Sequence, residues 1–282
     1  MSTTAGPFKP ATPRADRPKA ARKPGRLRAG LRETGDLVVF MGVSLRGLPR
    51  STLYLSEGLR QAAILIRGTS LLLLVMNMFL GITVTSFAFF VLRPLGATDF
   101  VGFFSGYISP RHTGPQMFGL VFAAKVCAGM AAEIGAMKVQ QEIDALRVEG
   151  IDPTHYIVGT RLIGVLIFVP IGTAITLIGQ FLGDYLNTVL VLQAVPAELL
   201  ERLQWYSQSS FDQGVALLTI LFMAVPCTLV GCFYGLRTQG GPVAVGESVA
   251  RSLLINIPLV NILPGTMALL VYGDNLRIPI GG

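Results

Sequence analysis

The sequence predicts an all-α integral membrane protein, and three observations support this fold class. The 282 residues are 51% hydrophobic and only 14% charged, whereas a soluble domain carries about 25% charged residues. Five apolar stretches are each long enough to supply the ~20 residues that cross ~30 Å of hydrocarbon. Thirteen of the 23 lysines and arginines lie in residues 1–67. This composition argues against a soluble enzyme and excludes a disordered protein.

The N-terminal segments precede the apolar body and are predicted to stay on the cytoplasmic side. Residues 1–30 are rich in proline, lysine and arginine without apolar periodicity, which predicts a disordered basic tail near anionic lipid and not a nucleic-acid-binding arm. We expect no cleavable signal peptide, since the first apolar stretch begins only after about sixty residues. Residues 31–67 predict an amphipathic interfacial helix with Pro49 separating its two parts. Its apolar stripe is Leu55, Leu59, Ala62 and Ile66.

The apolar body is predicted to contain five spans within residues 68–275. Their ranges are 68–92, 115–137, 157–192, 214–236 and 253–272. With the N-terminus inside, the cytoplasmic segments hold seventeen lysines and arginines and the exterior segments hold four. The positive-inside rule therefore favours a cytoplasmic N-terminus and an exterior C-terminus.

A charged segment joins the second and third predicted spans, and it predicts a short cytoplasmic helix over residues 138–152. Val139, Ile143 and Leu146 recur at helical spacing, and Gly150 and Pro153 are typical of a helix end. The segment is either a surface helix that merely joins two spans or a handle gripped by a cytoplasmic protein. Its mixed charges favour a protein partner over simple lipid binding.

This segment resembles the MlaE/YrbE permeases, the membrane subunits of ABC-type lipid transporters that work with MCE-domain proteins. The matching positions are Glu133, Gly135, Met137, Val139, Ile143, Asp144, Ala145, Leu146, Gly150, Asp152, Pro153, Tyr156 and Arg161. Gln141-Glu142 reverses the family's Glu-Gln pair, Thr160 replaces a proline, and His112 replaces an acid in the stretch 111–115. The stretch 240–251, together with Thr160-Arg161 and Tyr272-Gly273, is most similar to the B-type YrbE subunit of actinobacterial Mce systems. The resemblance extends from about residue 40 to residue 275.

The resemblance implies a non-catalytic permease subunit in the plasma membrane. It implies a heterodimer with an A-type YrbE permease, a cytoplasmic ATPase pair and an MCE hexamer on the outer face. The cargo would be a lipid such as a fatty acid, a mycolic-type lipid or a sterol, moved by import through a cavity between the two permeases. The alternative is a membrane scaffold that anchors MCE proteins without forming the lipid path. The residues that would couple to the ATPase are Met137, Val139, Gln141, Glu142, Ile143, Asp144, Leu146, Arg147 and Asp152.

The sequence contains no motif for catalysis by this chain alone. GxxxxGK[ST] is absent, so ATP would be hydrolysed by a partner and no cofactor is expected on this chain. HExxH and GxSxG are also absent, which disfavours a membrane-embedded hydrolase. The three cysteines lie in apolar runs and are predicted to be packing residues.

Polar residues inside predicted spans are candidates for a cavity, because polar groups at membrane depth face protein or water. They are Asn77, Lys125 and Glu133. Lys125 is predicted to line a cavity or to pair with an acid on a neighbouring helix, and Glu133 to brace the short cytoplasmic helix. Asp184 is predicted to be an interface-level polar residue, and His155 a solvated loop residue.

Overall fold

The computed structural model describes residues 26–273, and throughout these residues the regular structure is helical. Eight helical segments follow one another: α1 (Arg26–Ser51), α2 (Leu55–Leu92), α3 (Thr98–Val139), α4 (Glu142–Val148), α5 (Thr154–Val191), α6 (Ala197–Ser207), α7 (Ser210–Leu236) and α8 (Pro242–Tyr272). Five of them, α2, α3, α5, α7 and α8, are long and apolar enough to cross a membrane. The predicted all-α class and the five spans are therefore confirmed.

The five long helices form one bundle with a short helix at each end. Contacts of Gly58 with Ile163 and of Gly183 with Met78 show that α2 and α5 run parallel. α3 and α7 also run parallel, since Gly119 lies against Met223 and Gly235 against Ile134. We call the two ends of the bundle the α4 end and the α6 end. The core between them contains Leu73, Phe118, Phe122, Phe168 and Met223, all fully buried.

Helices α2 and α5 approach so closely that their backbones touch. A Cβ atom on Gly183 would collide with the backbone of Met78, and one on Gly81 would collide with the carbonyl oxygen of Gln180. Gly179 and Gly183 form a GxxxG pair on α5, the arrangement that lets membrane helices pack at short range. The Asn187 amide adds hydrogen bonds to the Thr85 and Ser86 hydroxyls, both 2.9 Å long. Small residues and polar contacts together hold this pair.

The N-terminal boundaries differ from the sequence prediction. Of the predicted tail 1–30, residues 1–25 lie outside the described residues, and 26–30 are the first turns of α1. The predicted interfacial helix 31–67 is divided at the turn Thr52–Tyr54, and α2 then continues unbroken from Leu55 to Leu92.

Of the predicted apolar stripe, Leu55 and Leu59 are exposed on the surface of the protein. Gly58 and Ala62 are buried instead, with Gly58 and the Gln61–Ala62 backbone lying against Ile163 and Gly164 of α5. Small residues permit this approach, so burial here follows size and not hydropathy.

All five long helices begin earlier than hydropathy predicts, and α2, described above, is joined by two other large differences. α3 begins at Thr98 instead of residue 115, and α8 begins at Pro242 instead of residue 253. The predicted exterior segment 193–213 contains the helix α6. The cause is common to all three, because these extensions bury polar side chains that lower the local hydropathy. They include Ser105, Arg111, Gln204, Ser248 and Ser252.

The long helices α3 and α5 contain wide turns. α3 has π-helical turns at Ser109–Thr113 and Phe122–Cys127. α5 begins and ends with π-helical turns, Thr154–Val158 and Leu186–Val191. Each π-turn places one extra residue in the helix and is frequent at functional sites. Arg111 and Lys125 both lie in such turns.

The second half of α1 packs on the α4 end of the bundle, within the compact unit that begins at Leu37. Leu37 is buried with Phe233 and Tyr234 of α7, and the rings of Phe40 and Phe233 lie 5.5 Å apart. Ser51 donates a hydrogen bond of 3.0 Å to the carbonyl oxygen of His155. This end therefore gathers α1, α4 and the beginning of α5.

Candidate functional site

The candidate site is the short helix α4, which one side chain anchors to the bundle. α4 contains seven residues, Glu142–Val148, and is shorter than the predicted 138–152 because Met137 and Val139 belong to the end of α3. Ile143 is fully buried in a cluster drawn from three spans. Leu146 and Met137 pack against the same cluster, whose other buried members are Ile134, Ile157, Val158, Leu162, Leu229 and Cys232. A force on α4 therefore acts directly on α3, α5 and α7.

The opposite face of α4 is exposed and carries both signs of charge. Asp144 accepts hydrogen bonds from Lys138 Nζ at 3.0 Å and from Arg147 at 3.2 Å. Glu142 is exposed beside them, and Val148 is 90% exposed at the end of the helix. A charged surface with one apolar residue suits a protein partner better than bulk lipid.

Backbone geometry fixes where α4 begins and ends. Gln141 stands just before the helix in the left-handed region, with φ at 61°. Gly150 has φ at 81°, and the bonds from Gly150 N to Arg147 O and from Ile151 N to Leu146 O form a Schellman motif. The predicted stop at Gly150 is confirmed. The left-handed Gln141, a strained conformation for a non-glycine residue, separates the end of α3 from the start of α4.

Asp152 links the end of α4 to the first turn of α5. Its carboxylate accepts a 2.8 Å hydrogen bond from the backbone N–H of Thr154 and lies 2.7 Å from Nδ1 of His155. Partial burial acts to raise the pKa of Asp152, but these two hydrogen-bonding partners outweigh it, so the pKa lies below its ordinary value. His155 belongs to the helical turn Thr154–Val158 and contacts Gly47, so its prediction as a loop residue is wrong.

The polar candidates inside the spans lie in three different places. Lys125 is exposed and donates a hydrogen bond to the carbonyl oxygen of Gly68, so the predicted acidic partner is not the one found. Asn77 is fully buried in the α2–α5 interface, where its amide donates to the carbonyl oxygen of Leu73 at 2.9 Å. The structure does not bring these two side chains and Glu133 together in one cluster.

Glu133 pairs with Arg161 of α5 across a 3.0 Å salt bridge, and not with a residue of α4. Arg161 is buried and also donates to the carbonyl oxygen of Ile157 at 3.3 Å. The pair therefore braces α3 against the first turns of α5, close to the cluster that receives Ile143. Sequence reasoning placed both residues in one family motif without predicting their contact.

A buried ion pair at the α6 end was not predicted. Arg111 donates two 3.0 Å hydrogen bonds to Asp212, one to each carboxylate oxygen, and both side chains are almost fully buried. Tyr272 donates a 2.8 Å hydrogen bond to the same carboxylate, and the Arg111 guanidinium lies 3.7 Å from the Tyr107 ring centroid. Asp212 also completes the capping box of α7 with Ser209. The sequence offered one signal for this ion pair, namely a cation and an anion near the ends of two spans.

Asp184, which was predicted to be an interface-level polar residue, is buried inside the bundle on α5. The Gln204 amide of α6 donates to Asp184 Oδ2 at 2.6 Å. Both side chains line a cavity at the α6 end. The sequence analysis missed this cavity because residues 193–213 were predicted only as an exterior segment, without the helix α6.

Two of the spans leave much of their surface uncovered. Only 28% of the apolar stretch of α2 and 17% of that of α8 is buried within the protein. On this uncovered surface, Gln116 of α3 donates a 3.0 Å hydrogen bond to the exposed Asn261 of α8. An exposed amide pair within spans is costly against hydrocarbon and typical of a surface that faces protein or water.

Comparisons with known proteins agree on one family. The family model described as "Permease MlaE" matches residues 59–270. A probable ABC transporter permease of Synechocystis is 30% identical over 162 residues, which cover 57% of this chain and 61% of the relative. A probable ABC transporter permease of Rickettsia typhi is 29% identical over 148 residues, covering 51% and 55%.

An Arabidopsis thaliana protein named TRIGALACTOSYLDIACYLGLYCEROL 1, chloroplastic, is 24% identical over 165 residues, which cover 58% of this chain and 46% of the relative. The chain spans about half the length of the curated relatives it matches.

Proposed function

Because the chain belongs to the MlaE permease family and is a multi-pass membrane protein, we propose that it is the permease subunit of an MCE-associated ABC transporter that imports lipids or other hydrophobic molecules. The observation that carries this proposal is the geometry of α4. Its charged face is exposed, and its one buried residue, Ile143, reaches a core shared by three spans. Such a helix receives force from outside the bundle and passes it inward.

A separate ATPase pair would supply that force. The exposed Glu142, Asp144, Arg147 and Val148 would dock on the ATPase, and nucleotide-driven movement would reach the spans through Ile143. The Arg161–Glu133 salt bridge would keep α3 and α5 moving together close to the point where the force enters. ATP would bind the partner and not this chain.

The lipid would be handled between two permease subunits. The sparse burial of α2 and α8 leaves room for a second subunit, which we propose to be an A-type YrbE permease. The exposed Gln116–Asn261 pair and Lys125 would then face the cavity between subunits and not hydrocarbon. An MCE hexamer would sit over the outer opening of that cavity.

Two considerations support a lipid cargo. The name of the Arabidopsis relative contains that of a galactolipid. The surfaces exposed along the spans carry large apolar side chains, among them Phe79, Phe87, Leu254 and Ile262, and these would bind acyl chains or sterol rings through burial of apolar area. The proposed cargo is a fatty acid, a mycolic-type lipid or a sterol.

The direct test replaces the charges of α4 with alanine. The triple variant Glu142→Ala, Asp144→Ala, Arg147→Ala is expected to insert normally but to lose at least 90% of the co-purifying ATPase, because the exposed docking surface is removed while Ile143 remains. The measurement is the ratio of ATPase to permease in the affinity-purified complex, together with ATP-dependent lipid uptake by cells.

The chain offers a matched control at the other end of the bundle. Glu198, Glu201 and Arg202 give the exposed face of α6 the same number of acids and arginines, and their replacement by alanine should leave the ATPase ratio unchanged. Full ATPase recovery with the α4 variant would overturn the docking assignment. Lost ATPase with unchanged lipid uptake would favour the alternative of a scaffold without a transport path.

The proposed orientation places the α4 end in the cytoplasm of a plasma-membrane protein. Cysteine at position 280 is expected to react with an impermeant maleimide added to intact cells, and cysteine at position 148 only after permeabilisation. The native cysteines Cys127, Cys227 and Cys232 are all buried, so background labelling should be low. The reverse labelling pattern would refute the orientation.

A further inference from the structure

Lys125 places a positive charge on the surface that α2 and α8 leave uncovered. The hydrogen bond from its ammonium group to the carbonyl oxygen of Gly68 joins α3 to α2, and the bond from Gln116 to Asn261 joins α3 to α8. The exposed side of α3 therefore lies between the two spans that the bundle buries least. Lys125 is itself exposed there.

No counter-charge accompanies this ammonium group. Lys125 is the one formal charge in the neighbouring stretches of α2, α3 and α8, which are residues 68–92, 113–132 and 252–272. Among the side chains that the structure describes, no carboxylate forms an ion pair with Lys125. Glu133, about two turns further along α3, is held by Arg161. An unpaired charge inside a span is costly, so an anion bound beside it would be stabilised.

The ammonium group has both donors and space for a ligand. It carries three N–H donors, and the carbonyl oxygen of Gly68 is its one partner among the described residues. The Cβ positions of Gly68 and Gly129 have no neighbouring atom within 4 Å, and Ala124 is exposed next to Lys125. Small residues thus leave open space around the lysine. Arg67, the nearest charge along α2, is exposed and has the same sign.

The backbone beneath Lys125 is fixed by the core. Lys125 belongs to the π-helical turn Phe122–Cys127, a kind of turn that is frequent at functional sites. Phe122, Ala123, Val126 and Cys127 in the same turn are buried in the main core cluster. The lysine side chain therefore leaves the bundle from a tightly packed segment and not from a loop.

Apolar surface continues from the lysine along both spans. Leu71 lies about one turn after Gly68 on α2, and Leu71, Ile257 and Ile262 are all exposed. A hydrocarbon chain would bury this area, while a carboxylate or phosphate would accept charge-assisted hydrogen bonds from Lys125. A sterol or an ester offers only neutral oxygens, and an amine would be repelled.

We propose that Lys125 binds the anionic head of the lipid cargo, which makes the cargo an amphiphile with a carboxylate or phosphate head. The inference rests on the proposed lipid transport and narrows its cargo, because fatty acids and mycolic-type lipids carry such a head and sterols do not. Anionic phospholipids of the bilayer offer the same chemistry, so the test must separate them from a cargo.

The test compares head groups that share one chain. The full chain with its co-purifying subunits is placed in nanodiscs of dioleoylphosphatidylcholine, and the binding of radiolabelled oleate is measured without nucleotide. Unlabelled oleate should displace the label at a concentration at least tenfold lower than methyl oleate or oleylamine, and cholesterol should displace it no better than these. Equal displacement by any of the three would overturn the proposal.

Three variants locate the charge that binds oleate. Lys125→Gln should weaken oleate binding at least tenfold, whereas Lys125→Arg keeps the charge and should stay within threefold of the unmodified chain. Arg93→Gln removes an exposed cation at the other end of α2 and should have no effect. Unchanged affinity in Lys125→Gln, or equal losses in both Lys125 variants, would show that the positive charge is not what binds the head.

Nanodiscs that also contain dioleoylphosphatidylglycerol separate cargo from bilayer lipid. The difference in oleate binding between the unmodified chain and Lys125→Gln should persist in them. Its disappearance would mean that anionic bilayer lipid occupies the site, which would overturn the assignment to cargo. Because the assay contains no ATP, a failure of α4 to bind an ATPase leaves this binding untouched. ATP-dependent uptake of methyl oleate in preference to oleate would refute the inference and leave the proposed transport intact.

Discussion

Replacing Arg111 with methionine is expected to lower the free energy of unfolding by about 3–5 kcal/mol, the cost of leaving one partner of a buried ion pair alone. Asp212 would lose two 3.0 Å hydrogen bonds and keep its charge in a site that is 2% exposed. Three spans meet at this carboxylate, since Arg111 is on α3, Asp212 on α7 and Tyr272 on α8. The measurement is the unfolding midpoint in mixed micelles on titration with SDS.

The double variant Arg111→Met, Asp212→Asn provides the control. Asparagine at position 212 still accepts the capping bond from Ser209 and carries no charge, so the double variant should recover at least half of the lost free energy. The free energy of unfolding of Arg111→Lys should lie between those of Arg111→Met and the unmodified chain. Lysine keeps the positive charge but cannot donate two parallel hydrogen bonds to the carboxylate. If the double variant is less stable than Arg111→Met alone, the ion pair is not the source of the loss.

Replacing Gly183 with alanine is expected to separate α2 from α5. The free energy of unfolding should fall by about 3 kcal/mol or more, which is the upper end of the range typical of overpacking. The added methyl group would meet the carbonyl group of Met78, which belongs to the backbone and cannot rotate away. The expected observation is a sharp loss of monodisperse protein in size-exclusion chromatography, with the remainder unfolding at lower SDS.

Gly214→Ala is the matched control for that substitution. Gly214 also lies within a spanning helix, but nothing stands within 4 Å of the Cβ position. There, alanine should be neutral or stabilising by about 0.5–1 kcal/mol, because it lowers the entropy cost of forming the helix. Equal behaviour of the two variants would show that α2 and α5 do not depend on backbone contact.

The number of spans and the position of α4 were predictable, because they depend on local sequence. Apolar stretches of sufficient length can be recognised directly in the sequence, and the end of α4 depends on Gly150 adopting a positive φ. The span boundaries were less predictable. Hydropathy treats Arg111 as an exterior residue, yet its charge is neutralised by Asp212, which lies 101 positions later in the chain.

Side-chain partners depend on tertiary packing and were therefore the least predictable part of the site. Glu133 was expected to brace the neighbouring α4, but it meets Arg161 because α3 and α5 come together at the α4 end. The helix α6 was missed because its eleven residues mix polar and apolar groups in a segment too short for a span. Its buried face, with Leu200 and Gln204, forms only on packing against α3 and α5.

The wide turn at Ser109–Thr113 holds one residue more than an ordinary helical turn. Losing one residue there would restore ordinary winding, and the segments on either side would keep nearly the same rotational phase. Deleting one residue from the regular winding at Gly114–Val121 would instead turn everything before it by about 100° relative to everything after it. Gly102 and Gly106, which meet α6, would then point elsewhere. The wall on which α6 rests would thus survive a deletion at the wide turn and be dismantled by the same deletion one turn later.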